Sequence, residues 1–209
     1  MARNHGSYIP PGYRFLMASL LLLMAVSSAF RAILFLMNLE FASHSTASDI
    51  LYAFFNRGLL FDIHILSYLF ILPFLMVSIP QIFGKTSKIF LQISNILILI
   101  GGIAVMLVFA IDLGYFKYYN SRITGAVFTW LEDVDITLKV IFTELDNLML
   151  ALAFLAVTVA YARLQNRILR VFLNRESGQY KVPYRVLTFS FGLLLMIFGL
   201  RGTYNFKDT

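Results

Sequence analysis

Polar and apolar residues segregate along this chain into blocks rather than alternating, and five apolar blocks have the length of membrane crossings. The first runs from Phe15 to Met37. At 1.5 Å per residue it covers about 34 Å, enough for a hydrocarbon core of about 30 Å. A cleaved signal peptide competes for this block, because Ser27-Ser28-Ala29 could serve as a small-residue cleavage site, but the apolar run continues past it. Further spans are predicted over 58–79, 89–111, 146–164 and 184–200. The second carries Pro73, where a bend is expected, and the last is opened by Pro183 in the favoured first turn. The apolar run from Val186 to Leu200 alone covers only about 22 Å and must extend, tilt little or thin the bilayer.

The connecting blocks are of two kinds. Residues 49–57 are short and aromatic, with Tyr52, Phe54 and Phe55 after a possible N-cap at Ser48 or Asp49, and predict a helix lying in the interface. Residues 114–145 mix Tyr115, Tyr118, Tyr119 and Trp130 with Lys117, Arg122 and several acids, the composition of the headgroup layer, and predict one or two surface helices. Within the spans, Gln92, Asn95 and Gly102 are expected on one packing face of the third. Ala153, Ala156 and Ala160 offer small surfaces for close contact in the fourth, and Gly192 and Gly199 fall near one face of the fifth. The hydroxyls of Ser19, Ser27, Ser28 and Ser67 are expected to bond back to the preceding turn.

Composition narrows the class. Of 209 residues, 59% are hydrophobic and only 13% charged, with a mean hydropathy of +0.78. A soluble domain carries about 25% charged residues, so the fold class expected is all-α integral membrane, with five transmembrane helices and short amphipathic helices on the outer side. The absence of cysteine removes disulfides and thiolate metal sites. The net charge of +6 does not call for nucleic acid, because ten of the seventeen Lys and Arg lie in the N-terminal tail, the 80–88 turn and the 163–185 segment. Eight of the eleven acids lie in the opposite set of segments. The positive-inside rule therefore predicts a cytoplasmic N-terminus and an outer C-terminus. The 163–185 segment is read as a basic loop, a determinant of topology first and a contact for anionic lipid second.

Charge also enters the spans. Arg31 lies about two turns below the outer end of the first, Arg57 and Asp62 open the second, and Asp112 ends the third, so all four come to one depth. A charge at mid-helix costs about 2.5 to 3.5 kcal/mol on insertion scales, and pairing Arg31 with Asp62 would offset it. With Arg122 as a fifth candidate beyond Asp112, three readings stay open: an ion pair that sets helix register, a pocket in which Arg31 or Arg57 faces the phosphate of an anionic phospholipid headgroup, or an ion pathway. His64 stands two residues from Asp62, points away from it and reads as a polar core residue. His5, His44 and His64 have no metal-ligand spacing, and no phosphate loop, nucleophile elbow or HExxH motif occurs. The sequence therefore offers no catalytic or metal residue.

The element Arg57-Gly58-Leu59-Leu60-Phe61-Asp62, the span through Pro73, and Asp112-Leu113-Gly114-Tyr115-Phe116 followed by Lys117 to Arg122 resemble the membrane domain of the lipoteichoic acid synthase-like family. That family lies within the alkaline phosphatase and sulfatase superfamily and includes phosphoglycerol and phosphoethanolamine transferases. The resemblance implies a multi-pass protein of the bacterial cytoplasmic membrane, with five spans anchoring an extracytoplasmic catalytic domain. It also implies a divalent metal (manganese, magnesium or zinc) held by that following domain. The metal ligands and nucleophile of the family belong to that domain, so none carries over to this chain. The expected role is an anchor, not active alone, that contacts membrane lipids and its own catalytic domain. A small self-contained transporter or channel using Arg31, Asp62 and Asp112 is the alternative.

The anchor reading predicts that the natural reading frame continues past codon 209 into a metal-dependent domain. Sequencing the downstream DNA checks this, and a stop codon directly after Thr209 would count heavily against it.

Overall fold

The computed structural model describes residues 9–37, 39, 46–85, 87–119, 143, 145–173 and 181–202. Helix α1 is Pro11–Met37. A short α2, Ala47–Leu51, passes into a π-helical stretch, Tyr52–Gly58, and on into α3, Leu59–Ile82. Then come α4, Lys88–Tyr119, α5, Leu145–Leu173, and α6, Val182–Arg201. Five helical stretches are long and apolar enough to cross a membrane, and the described residues form no strand. This is the architecture of an all-helical, multi-pass membrane protein.

The helix ends follow local chemistry. Pro11 opens α1, where a missing N–H costs nothing, and the Pro10 carbonyl accepts from Arg14 N at 3.3 Å. At the start of α6, Pro183 follows an extended Lys181, and the helix ends at Gly202, whose φ of 67° suits glycine. Helix α3 continues through both Pro73 and Pro80. Ser94 Oγ of α4 reaches the Pro73 carbonyl at 3.5 Å, the outer limit of a hydrogen bond, so a neighbouring helix lies where the proline disturbs the ladder.

Several boundaries differ from the sequence expectation. Residues 49–57 do not form a separate helix: Ser48–Ile82 is one helical stretch, because nothing in Tyr52–Gly58 breaks the ladder and the π turn absorbs the irregularity. Residues 114–119, expected to begin the surface segment, extend α4. Most of the remaining expected interfacial segment, with Arg122 and Trp130, lies outside the described residues. The fourth span runs on to Leu173, so Arg163, Arg167 and Arg170 stand on a helix rather than in a loop. Arginine is a good helix former and nothing in 163–173 stops the helix.

Helices α1, α3 and α4 pack on one another, α5 lies against α1 and α4, and α6 packs on α3. Large apolar side chains fill the shared interior: Phe15, Leu23 and Phe30 from α1, Leu66, Phe70 and Phe74 from α3, and Leu91, Ile98 and Met106 from α4. The buried line on α4 runs Leu91, Asn95, Ile98, Gly102, Met106, at steps of three and four residues, and excludes Gln92, which is exposed. The alanines of α5 also face outward: Ala153, Ala156 and Ala160 are exposed, whereas Tyr161, Gln165 and Phe172 are buried. Bulk and hydrogen-bonding capacity, not smallness, decide which face of α5 packs. On α6 both glycines face α3, Gly192 against Phe74 and Gly199 against Ser67.

A buried polar assembly joins three helices away from the Arg31 level. Gln165 Nε2 donates to Ser19 Oγ at 2.9 Å and to Asn95 Oδ1 at 3.0 Å, and Asn95 Nδ2 donates to Asn166 Oδ1 at 3.0 Å. Ser67 bonds back to the Ile63 carbonyl at 2.6 Å as expected, but Ser19 is recruited by Gln165 instead. Tyr161 Oη donates to the Ile98 carbonyl at 2.9 Å and lies over Gly102, where an added Cβ would collide with its hydroxyl and with Leu23. Gly102→Ala is therefore expected to destabilise the bundle by about 1–3 kcal/mol through overpacking. The loss should be smaller when Tyr161→Phe removes the obstructing oxygen in the same chain. Thermal unfolding of the four variants in detergent, compared as a double-mutant cycle, measures this coupling.

Candidate functional site at one end of the bundle

A guanidinium at the depth of Arg31 needs partners for its charge, and the stretch from Phe54 to Asp62 supplies them. Gly58 and Asp62 are four residues apart and share the face turned to α1. Arg31 forms a salt bridge with Asp62, whose side chain is 1% exposed. Its guanidinium also donates to the Gly58 carbonyl at 2.7 Å and to the Phe54 carbonyl at 3.2 Å, and lies 5.3 Å from the centroid of the Phe54 ring. A guanidinium carries five donors in a planar, rigid fork, so it can bind a carboxylate and two backbone oxygens at once and still lie flat beside an aromatic ring. Gly58 is needed for this approach, since a Cβ there would sit 2.6 Å from Arg31 Cζ and Nε. The carbonyls come from the π-helical stretch and its end, at a position where α-helical geometry is already relaxed.

Around this pair lies a cavity of about 340 Å³. Arg31, Arg57, Asp62 and Asp112 all line it, so four of the sequence-predicted residues converge from α1, α4 and the continuous α2–α3 stretch. The fifth, Arg122, lies outside the described residues. Its walls are otherwise apolar: Phe30 and Leu34 from α1, Phe61 from α3, and Phe109 and Leu113 from α4. The Phe30 and Phe109 rings stack with centroids 5.8 Å apart and hold the α1–α4 wall. A mostly apolar chamber with a few convergent charged groups, of about 300 Å³ or more, is the general form of a small-molecule site.

The four charges are not equivalent. Arg31 is held by Asp62 and two carbonyls, and Asp112 is buried at 5% exposure. Arg57 is exposed on the π-helical stretch and forms no ion pair among the described residues. Of the two arginines that the sequence offered for an anionic ligand, Arg57 is the one with donors to spare. Tyr115 is buried, at 8% exposure, rather than presented outward. The backbones of Tyr118 and Tyr119 continue α4.

His64, read as a core histidine pointing away from Asp62, has a definite role. Its Nδ1 lies 2.9 Å from the Gly199 carbonyl, in the last turn of α6, and its ring meets Tyr68 edge-on at 5.0 Å. It satisfies a carbonyl left over at a helix end and ties α6 to α3. The backbone oxygens that complete the Arg31 site had no sequence signal beyond Gly58 itself, four residues before Asp62. Among the described residues no group of three or more histidines and carboxylates could hold a metal ion.

Arg31→Leu and Asp62→Leu are each expected to destabilise the domain by about 3–5 kcal/mol, because each leaves the other charge buried and uncompensated. The double substitution should cost less than either sum predicts. Unfolding in detergent measures all three, and simple additivity would rule out the coupling. Comparison with protein-family models, curated proteins and solved structures finds no match to this chain.

Proposed function

We propose that this chain is the membrane module of an extracytoplasmic, sulfatase-like transferase of phosphoglycerol or phosphoethanolamine, and that its cavity holds the headgroup of the lipid donor. The observation that carries the reading is the convergence of Arg31, Arg57, Asp62 and Asp112 on one chamber. Its level in the bilayer supports the same reading. Arg14 and Arg31 bracket the charge-free part of α1 and lie seventeen residues apart, about 26 Å along the axis, close to the thickness of a hydrocarbon core. The chamber then stands where hydrocarbon gives way to phosphate and glycerol.

In this reading the N-terminus is cytoplasmic, the C-terminus extracytoplasmic, and the chamber opens to the outer leaflet of the bacterial cytoplasmic membrane. Arg14, Lys85, Lys88, Arg170 and Lys181 collect at the opposite end, as the positive-inside rule requires. Arg57 binds the phosphate with charge-assisted hydrogen bonds, and Arg31 positions the π-helical stretch that carries it. Phe30, Leu34 and Phe61 accept the apolar part of the lipid. The chain binds and orients, and bond breaking belongs to a following domain with its own metal. A conducting pathway is not favoured, because Leu23, Leu66, Ile98 and Met106 fill the interior between the chamber and the Gln165 assembly.

Native mass spectrometry of the purified chain titrated with phosphatidylglycerol or phosphatidylethanolamine tests the proposal. Arg57→Ala should weaken binding of the zwitterionic phosphatidylethanolamine about ten- to a hundredfold, the loss of one or two charge-assisted bonds. Unchanged binding would remove the headgroup site. Ion flux through reconstituted vesicles that Asp62→Asn abolishes would replace it with a pathway.

A further inference from the structure

The outward face of α5 has a pattern that neither the chamber nor the packing of the bundle requires. Taking 100° per residue, Met149, Leu152, Ala156, Val159, Arg163, Arg167 and Arg170 lie within about 40° of one line along the helix. All seven are exposed, whereas Tyr161, Gln165 and Phe172 on the reverse side are buried. The helix packs on α1 and α4 through that reverse side. The exposed line is apolar for its first three turns and carries an arginine at each of its last three positions.

We propose that this line is a binding site for an acidic glycerophospholipid of the leaflet on the Lys85 and Lys88 side, the leaflet opposite the chamber. Helix α5 has 29 residues, about 43 Å, and exceeds a hydrocarbon core of about 30 Å. Its C-terminal turns therefore stand in the headgroup layer. Arg163 and Arg170 are about 10 Å apart along the axis, so one or two phosphates fit between three guanidinium forks. None of the three arginines forms an ion pair among the described residues. The apolar half of the line lies directly below and has the depth of an acyl chain. Ala156, exposed on that line, adds little side-chain bulk there. Setting topology requires only a count of positive charges near the membrane, whatever face they occupy. Alignment of all three with one apolar stripe is what a lipid, with its head above its tail, would select.

The site is independent of the chamber and is tested in the Arg57→Ala chain, where binding at the chamber is weakened. Native mass spectrometry follows titration with phosphatidylglycerol, phosphatidylcholine or inorganic phosphate. Phosphatidylglycerol should bind well above the other two. Each arginine near an anionic surface contributes roughly five-fold, so Arg163→Gln, Arg167→Gln and Arg170→Gln together should lower affinity on the order of a hundredfold. The corresponding triple lysine variant should keep most of the binding. Arg167→Gln alone should show the single-residue loss even if the triple variant folds poorly. Equal binding of phosphatidylcholine, equal binding of inorganic phosphate, or a triple glutamine variant that binds as before would each overturn the proposal.

Discussion

Neutralising Arg31 inside a hydrocarbon-facing bundle is the constraint on which the rest of this molecule turns. Its partners are one carboxylate and two backbone oxygens, all within the stretch from Phe54 to Asp62. Satisfying them sets the vertical register of α1 against α3 and the distance between them, since the guanidinium must lie flat on Gly58. Once that register is set, Asp112 of α4 and Arg57 of the π-helical stretch arrive at the same level, and the chamber is the space left between them. Low dielectric makes the arrangement strict, because a charge that misses its partner there has no water to replace it.

The bundle has two polar levels with an apolar middle. At one end lie the charged chamber and the His64 tie to Gly199. Nearer the other lies the neutral Ser19, Asn95, Gln165 and Asn166 assembly. Amides and hydroxyls are affordable within the membrane when each finds a partner, and they fix which helices meet without the desolvation cost of ions. Helix α6 stands apart from this scheme. It packs on α3 through Gly192, Gly199 and the histidine contact, and most of its surface faces outward.

Much of this was legible beforehand, and for identifiable reasons. Five spans and their approximate limits follow from the length of apolar blocks, because backbone polar groups in hydrocarbon must be satisfied within a helix. The shared depth of Arg31, Asp62 and Asp112 follows from counting residues along alternating spans. Faces were read less well. Gln92 points outward and the alanines of α5 do not pack, because polarity or smallness on a helix does not reveal which side a neighbour occupies. The end of the helix that carries the fourth span was misplaced, because arginines past the hydrocarbon boundary need not end a helix.

The amino-acid sequence by itself therefore determined the class of the molecule, the number of its crossings and the level at which charge enters them. All three depend on free energies summed along one segment at a time. Tertiary structure alone decided that Arg31 is consumed by Asp62 and two carbonyls while Arg57 keeps its donors. It also decided that Ser19 serves Gln165, and that the arginines of α5 line up over an apolar stripe facing away from the bundle. Those outcomes depend on rotation about helix axes and on backbone oxygens, which every residue carries and no sequence pattern marks.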